Sequence, residues 1–183
     1  YSYVAVKAGY VTKKDTISVT EDTEKTITME KAPESTRKDV SAAWKNFRNS
    51  DDNMGITSAK TPTSEATTYE KWFKKLGSGW GAAPSVQIIV DNSLIVMSAN
   101  HIYKLDLNTG DILQTGDMVA ATNFGYTPPT YADGMIFAPL ADGRVQAFNA
   151  ETLESLWVYH DMLKGQSLSP ITYSDGYIYT GFW

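Results

Sequence analysis

Cysteine is absent from this chain of 183 residues, histidine occurs only twice, and no segment is rich in lysine or arginine. The absence of cysteine excludes disulfides, thiolate zinc sites and cysteine nucleophiles. A net charge of -5 without a cationic stripe disfavours nucleic acid and acidic substrates, because phosphates must be matched by clustered positive charge. No stretch approaches the roughly 20 apolar residues of a membrane-spanning helix. The sequence therefore indicates neither a nucleic-acid binder nor a membrane span.

Charge and composition change along the chain and divide it into three regions. Residues 1–31 and residues 32–68 each carry five basic and five acidic side chains, whereas residues 69–183 carry six basic and eleven acidic ones. The whole net charge therefore belongs to the third region. Since the chain begins at Tyr1 without a methionine, we expect it to be a piece of a longer protein.

The first region, residues 1–31, has the composition of strands. Runs rich in β-branched and aromatic residues occur at 1–6, 16–20 and 25–29, and residues 13–15 are predicted to form a polar turn. The pattern Tyr-x-Tyr-x-Val, followed by Gly-Tyr at 9–10, resembles the last strands of immunoglobulin-like and carboxypeptidase-regulatory-like modules of bacterial surface proteins. The resemblance implies the C-terminal strands of a small β-sandwich, and an unrelated β-meander is the alternative.

The second region, residues 32–68, is predicted to be a linker and a packed loop. Polar, proline-bearing stretches at 32–36 and 61–64 predict extended connectors. Between them, Val40, Trp44 and Phe47 stand at the i, i+4, i+7 spacing of one helical face. We expect a short helix over 38–47 whose apolar residues plug one face of the next domain.

The third region, residues 69–183, contains an internal repeat. Asp91, Asp133 and Asp175 lie 42 positions apart, and each is followed by a short hydrophobic run. A period near 42 residues, built from short strands and tight turns, indicates the four-stranded blade of a β-propeller. In the first blade we expect strands at about 85–90, 94–98, 102–106 and 112–119, and the stretch 145–153 repeats 102–110.

Three motifs of the chain, one in the second region and two in the third, follow one known pattern. They are Gly-Arg-Val-Gln-Ala-Phe-Asn at 143–149 with Trp157 after it, Trp72 before the first blade, and Trp-Lys-Asn-Phe-Arg at 44–48. Together they resemble the quinoprotein-like propellers with PQQ-like repeats, over residues 44–183. The resemblance implies a partial β-propeller of about two and a half four-stranded blades, with a closing outer strand at 69–76. Exposed strand edges of such a partial ring would favour self-association.

The resemblance bears on chemistry in two ways. Some members of that family are dehydrogenases that bind pyrroloquinoline quinone with calcium, through acidic and amide ligands and often over an adjacent cysteine pair. This chain has no cysteine and no acidic cluster that maps onto the calcium ligands, so we expect it to hold no cofactor, metal or catalytic residue. Other members are platforms that bind proteins or polysaccharides.

Strand direction in an up-and-down blade predicts one binding surface. The loop before strand one and the loop between strands two and three emerge on the same face, because direction reverses with every strand. Aromatic rings flanked by amide and carboxylate groups suit sugars or peptides. The residues that this argument brings to one face are Trp80, Asn100, His101, Phe124, Tyr126 and Asp142. The alternative is that the aromatic residues simply pack between blades.

Other constellations have simpler interpretations. Residues 106–111 carry oxygen ligands at alternate positions, faintly like a calcium loop, but the repeat requires a turn there. Residues 51–53 could hold a cation, and a solvated loop is the simpler interpretation. His101 and His160 have no metal-ligand spacing between them, and no Gly-x-Ser-x-Gly elbow is present.

We therefore predict a non-enzymatic binding or scaffold propeller of a bacterial cell-surface or secreted protein, which recognises a protein or a glycan. The alternative is a fragment of a propeller enzyme, quinone-dependent or carbohydrate-active, whose catalytic residues lie mostly outside this chain. Calcium ligands or paired channel carboxylates on later blades would favour the enzyme.

Overall fold

The computed structural model describes residues 1–5, 10, 13–31, 38–122 and 127–183. In this part of the chain nearly all regular structure is strand, and the two helices are single 3-10 turns at Glu65–Thr67 and Trp80–Ala82. The strands are β1 (Ser2–Ala5), β2 (Lys13–Thr16), β3 (Ala42–Trp44), β4 (Ile88–Val90), β5 (Ser93–Ser98), β6 (His101–Asp106), β7 (Ile112–Asp117), β8 (Thr130–Ala132), β9 (Met135–Leu140), β10 (Arg144–Asn149), β11 (Ser155–His160), β12 (Thr172–Ser174) and β13 (Tyr177–Tyr179).

Blade one is a five-stranded antiparallel sheet with the order β3-β4-β5-β6-β7. The central strands β5 and β6 pair over their full length, from Ser93 opposite Asp106 to Ser98 opposite His101. Four of the five strands are those predicted from the repeat, and their bounds differ from the prediction by a few residues.

Blade two is a four-stranded antiparallel sheet with the order β8-β9-β10-β11, and the hairpin β12-β13 begins blade three. The three repeated aspartates, Asp91, Asp133 and Asp175, lie in the turns between the first two strands, with φ of 45°, 50° and 50°. Positive φ at this position is typical of the tight turns that fit the twist of a hairpin. The prediction of a partial β-propeller is confirmed.

Blade two is covered on both faces, and this explains its sequence. On one face Ile136, Ala138, Leu140 and Phe148 join a core cluster with residues of blade one; on the other, Phe137, Val145 and Ala147 join a second cluster with residues of blade three. Side chains alternate between the faces of a strand. All six residues of β9 are therefore buried and form a continuous apolar run.

The helix expected over 38–47 is wrong, because β3 forms there instead. Ala42 and Trp44 pair with Val90 and Ile89 at the inner edge of blade one. The hydroxyl of Tyr131 accepts a hydrogen bond from Val40 N at 2.7 Å and donates to Asp39 Oδ1 at 2.6 Å. Burial and the hydrogen bond to Asp39 raise the pKa of Tyr131 to about 12. Strand pairing and the hydrogen bond to Tyr131 satisfy backbone N–H and C=O groups that would have bonded to one another in a helix.

The apolar residues expected to act as a plug divide into two groups. Val40 packs against the core cluster between blades one and two, together with Ala42. Phe47 is 42% exposed, so it does not close a face of the blades. Part of the predicted linker is thus built into blade one.

The N-terminal residues form two strands, of which one lies elsewhere than predicted, and the strand expected at 25–29 is not formed. β1 pairs with β2 at Lys13–Thr16, where a turn was expected, and Ser2 lies opposite Thr16. Tyr3 donates to Asp15 Oδ2 at 3.2 Å, and Lys25 Nζ lies 5.1 Å from the centre of the Tyr3 ring. The contacts of Tyr3 therefore favour the pairing of β1 with Lys13–Thr16 over its pairing with the strand expected at 16–20. The pattern at 6–9 lies outside the described residues.

The closing strand expected at 69–76 is also not formed, since these residues are in neither strand nor helix. Trp72 nevertheless docks on blade one, where its Nε1 donates to Leu107 O at 3.2 Å. A Cβ at Gly110 would lie 2.5 Å from the indole ring, and Gly110 has φ of 74°. Glycine at this position thus permits both the turn and the close approach of the tryptophan.

No helix in the described part of the chain is long and apolar enough to cross a membrane.

Candidate functional site

The two ends of each blade differ in chemistry, and the candidate site lies at the end that carries the turns β5–β6 and β9–β10. We call this end the loop face. It includes the 3-10 turn Trp80–Ala82, because Ser98 Oγ at the end of β5 donates to Ala82 O at 2.7 Å. In blade two, Ala141 N donates to Ala121 O at 2.9 Å, so the connection after blade one runs past the β9–β10 turn.

Trp80 stands free on the loop face, with 87% of its surface exposed. Its turn is closed by Ala83 N, which donates to Trp80 O at 3.2 Å. A Cβ at Gly77 would lie 2.5 Å from the Cβ of Ala82, so glycine allows the chain to fold back at this point. An exposed indole held on a short, fixed turn offers a flat apolar surface to a partner.

Asn100 and His101 lie beside each other at the β5–β6 turn. Asn100 O accepts from Met118 N at 2.8 Å, and the side chain of Asn100 is exposed. His101 Nδ1 lies 3.1 Å from Asp117 Oδ1 on the neighbouring strand, and the His101 ring meets Tyr103 edge-on. His101 therefore lies between a carboxylate on the neighbouring strand and an aromatic ring on its own strand.

Asp142 belongs to a charged cluster at the corresponding end of blade two. Asp142 Oδ2 lies 2.7 Å from Arg144 Nη1 and 3.8 Å from His160 Nε2. Arg144 and His160 are cross-strand partners, so the sheet places both next to the turn that carries Asp142. Sequence reasoning missed this cluster because it considered the turn 141–143 alone, although the strand register of the repeat predicts the pairing of Arg144 with His160.

Met162 and Leu163 are exposed apolar residues that sequence reasoning did not select. They are 86% and 89% exposed, in the turn that follows β11. Asp161 N donates to Gly143 O at 2.8 Å, which joins this turn to the one that carries Asp142. The apolar pair and the charged cluster are thus neighbours on the loop face.

The binding site stays a prediction, and the structure describes four of its six residues. Trp80, Asn100, His101 and Asp142 lie at the loop ends of their blades, whereas Phe124 and Tyr126 lie outside the described residues. No hydrogen bond, ion pair or ring contact joins those four residues to one another in the described structure. They form separate features along one face rather than a single pocket.

The turns at the opposite end are structural. Asp106 Oδ1 accepts from Asn108 N at 2.7 Å and Thr109 N at 2.9 Å, and Asn149 Oδ1 accepts from Glu151 N and Thr152 N in the same way. The backbone N–H groups of Thr109 and Asn108 hold the pKa of Asp106 below its usual range. A carboxylate occupied in this manner closes a turn, which is the role that the repeat predicts for residues 106–111.

The donor sets present do not fit a quinone and calcium site. Within the described ranges no three His, Asp or Glu side chains converge in an arrangement that could hold a metal ion. In the loop 51–53, Asp51 pairs with Lys45 Nζ at 2.7 Å and Asp52 accepts from Ser50 Oγ, which lowers the pKa of Asp52. These carboxylates therefore have partners of their own.

Comparisons with known proteins find one matching family and similar solved structures. A family described as "Outer membrane protein assembly factor BamB" matches residues 63–182, about two thirds of the chain. A solved structure, "Europium-containing methanol dehydrogenase", is 23% identical, covers 54% of this chain and 22% of its own, and has a TM-score of 0.38. This chain thus spans about a fifth of the length of that structure. No curated protein matches the chain.

Proposed function

The chain belongs to the family described as outer membrane protein assembly factor BamB, and from this premise we propose that it is a non-enzymatic binding platform. Its loop face recognises a partner, and the partner is a protein rather than a glycan. The family description names an assembly factor, which supports a role in contacts between proteins.

One observation carries the proposal: three large apolar side chains on the loop face have almost no cover. Trp80, Met162 and Leu163 are each more than 85% exposed. Exposed apolar side chains rimmed by charged groups are typical of protein interaction sites. Methionine and leucine side chains adapt to the shape of a protein surface, whereas sugar recognition depends on flat rings with polar groups beside them. The presence of Met162 and Leu163 therefore favours a protein partner.

We also propose where this platform works and what else it contacts. Residues 1–31 would be the end of an immunoglobulin-like module that tethers the blades in a bacterial cell-surface or secreted protein. Residues 32–68 would be the linker with its packed loop, and residues 69–183 would be the propeller. The exposed blade edges would allow self-association.

The proposal is tested by comparing Trp80→Ala with the unchanged chain on arrays of immobilised peptides and glycans. Loss of Trp80 is expected to weaken retention on peptides about 30-fold, since a buried hot-spot tryptophan contributes roughly 2 kcal/mol or more to binding. Tyr159→Ala is the matched control, because Tyr159 is 51% exposed on the outer strand β11. Equal retention by Trp80→Ala and Tyr159→Ala, or retention on glycans alone, would overturn the proposed function.

A further inference from the structure

Both histidines of the chain lie on the loop face, and each has an aspartate beside it. His101 begins β6, and His160 ends β11. Imidazole is the side chain that ordinarily changes charge between pH 5 and 8, with an unperturbed pKa of about 6.5. The loop face therefore carries the side chains of this protein that can respond to pH near neutrality.

The two histidines differ in the aspartate that each one faces. In both pairs the ring nitrogen is buried and has no hydrogen bond in the described structure. The Asp117 side chain, beside His101, is 91% exposed, so water screens its charge. The Asp142 side chain is 41% exposed and pairs with Arg144 Nη1 at 2.7 Å, while the same oxygen lies 3.8 Å from His160 Nε2. Asp142 therefore lies between two cations when His160 is protonated.

The charged groups around this end of blade two determine what protonation of His160 changes. They are Arg144 on β10, Asp142 in the turn before it, Tyr159 on β11, Asp161 and Lys164 in the turn after β11, and Asp117 on β7. The connection 118–122, which passes the β9–β10 turn, contains no titratable residue. Asp161 Oδ2 accepts from Leu163 N at 3.2 Å, so this carboxylate is already engaged. Protonation of His160 therefore acts first on Asp142 and Arg144.

The turn that carries Asp142 is packed against the turn that carries the apolar pair Met162 and Leu163. Asp161 N donates to Gly143 O at 2.8 Å. A Cβ at Gly143 would lie 3.1 Å from Asp161 Cβ and 3.2 Å from Lys164 Cα. Because atoms so closely packed leave no free space between the turns, a movement of one turn displaces the other.

We propose that Asp142 is a pH-dependent switch between Arg144 and His160. With His160 neutral, Asp142 pairs with Arg144, as the structure shows. Protonation of His160 gives Asp142 a second cation and places like charges opposite each other on β10 and β11, which is unfavourable. Asp142 then moves toward His160, and the packed turn carries the apolar pair with it. A local change of charge thus alters the loop face.

The methyl resonance of Met162, in protein with isotope-labelled methionine, reports this movement without any partner. We expect the resonance to shift as the pH falls from about 8 to about 5.5, together with the imidazole signals of His160. His160→Gln and Asp142→Asn should each abolish the shift. Both replacements keep a polar side chain, and asparagine tolerates the positive φ at position 142, so both variants should fold.

His101→Gln is the matched control. It removes the other histidine of the loop face, which pairs with Asp117 rather than with Asp142. The Met162 resonance of His101→Gln should therefore move with pH as it does in the unchanged chain.

Peptide retention provides a second readout, and this part of the inference rests on the proposed function. Retention on immobilised peptides without histidine should be about threefold weaker at pH 5.5 than at pH 7.5, the scale of a partly exposed ion pair. His160→Gln should be retained equally at both pH values. Because the Met162 resonance needs no peptide, failure of the switch and failure of the proposed function are separate results.

Three results would overturn the inference. The first is a Met162 resonance that does not move over this pH range. The second is an equal shift in the unchanged chain and in His160→Gln or Asp142→Asn. The third is loss of the shift in His101→Gln as well as in His160→Gln. Equal peptide retention by the unchanged chain at both pH values would overturn the effect of the switch on binding.

Discussion

The two interfaces that blade two makes with its neighbours both contain an apolar cluster, and they differ in the contacts that accompany it. Toward blade one, Gln146 is 1% exposed and bonds across the interface: its Oε1 accepts from Val119 N at 2.9 Å and its Nε2 donates to Asp117 O at 3.1 Å. Toward blade three, Phe137 lies 5.8 Å from Trp157 and 6.1 Å from Tyr173, ring centre to ring centre. The first interface is directional through the amide of Gln146, whereas the second combines aromatic packing with a buried hydrogen bond, from Thr130 Oγ1 to Ile171 O at 2.8 Å.

This difference suggests how the relative positions of the three blades, which we call the stack, are determined. Buried hydrogen bonds fix one relative position, since a small shift leaves a donor or acceptor unpaired. Aromatic rings supply apolar area and accept a range of offset geometries. Blade one and blade two are therefore expected to form a unit of fixed geometry, and blade three is held against it by aromatic contact together with the hydrogen bond of Thr130.

The largest expected effect is on the aromatic interface. Phe137→Ala should lower the free energy of unfolding by about 3–5 kcal/mol, because it removes a buried ring and leaves a cavity. Phe137 is 1% exposed. Denaturant unfolding measures the change, and Tyr159→Ala is the control, since the Tyr159 ring is half exposed and stacks only on Phe182. A cost below about 1 kcal/mol for Phe137→Ala would show that blade three is not packed on this ring.

A smaller effect is expected at the directional interface. Gln146→Met keeps the volume of the side chain but leaves Val119 N and Asp117 O without their partner, at a cost of about 1–3 kcal/mol. Gln114→Met is the matched control, because Gln114 Oε1 is buried without a hydrogen bond in the described structure. The control should be neutral or slightly stabilising. If both variants have equal midpoints in denaturant, the hydrogen bonds of Gln146 do not specify the interface.

Much of the stack was predictable because the repeat is local. The spacing of Asp91, Asp133 and Asp175 predicted three turns, and all three have the same backbone conformation. The aligned turns of blades one and two show how strongly the repeat determines geometry. Leu153 stands where blade one has Gly110, yet it adopts the same left-handed conformation, with φ of 56°. Leu153 lies against Gly116, where an added Cβ would stand 2.7 Å from Leu153 O and 3.2 Å from Leu153 Cβ.

Other features were not predictable because they depend on distant partners. Ala42–Trp44 pairs with a strand that lies more than 40 positions later, and its three residues have no strand pattern of their own. Gln146 is polar in an otherwise apolar strand, and only the fold of residues 117–119 reveals its partners. On the loop face, strand direction predicted the placement of Trp80 and Asp142, but not the exposure of Met162 and Leu163.

Amide hydrogen exchange, resolved by strand in dilute protein, tests most directly whether blade two is the core of the stack. Exchange is slowest where hydrogen bonds are buried and the surroundings must open together. The structure predicts the slowest exchange in β9 and β10, which lie between two neighbouring strands and two apolar clusters. Exchange in β12 and β13 should be markedly faster. Equal protection of β9 and β13 would contradict the account, because it would mean that blade three is as firmly held as the blade that supports it.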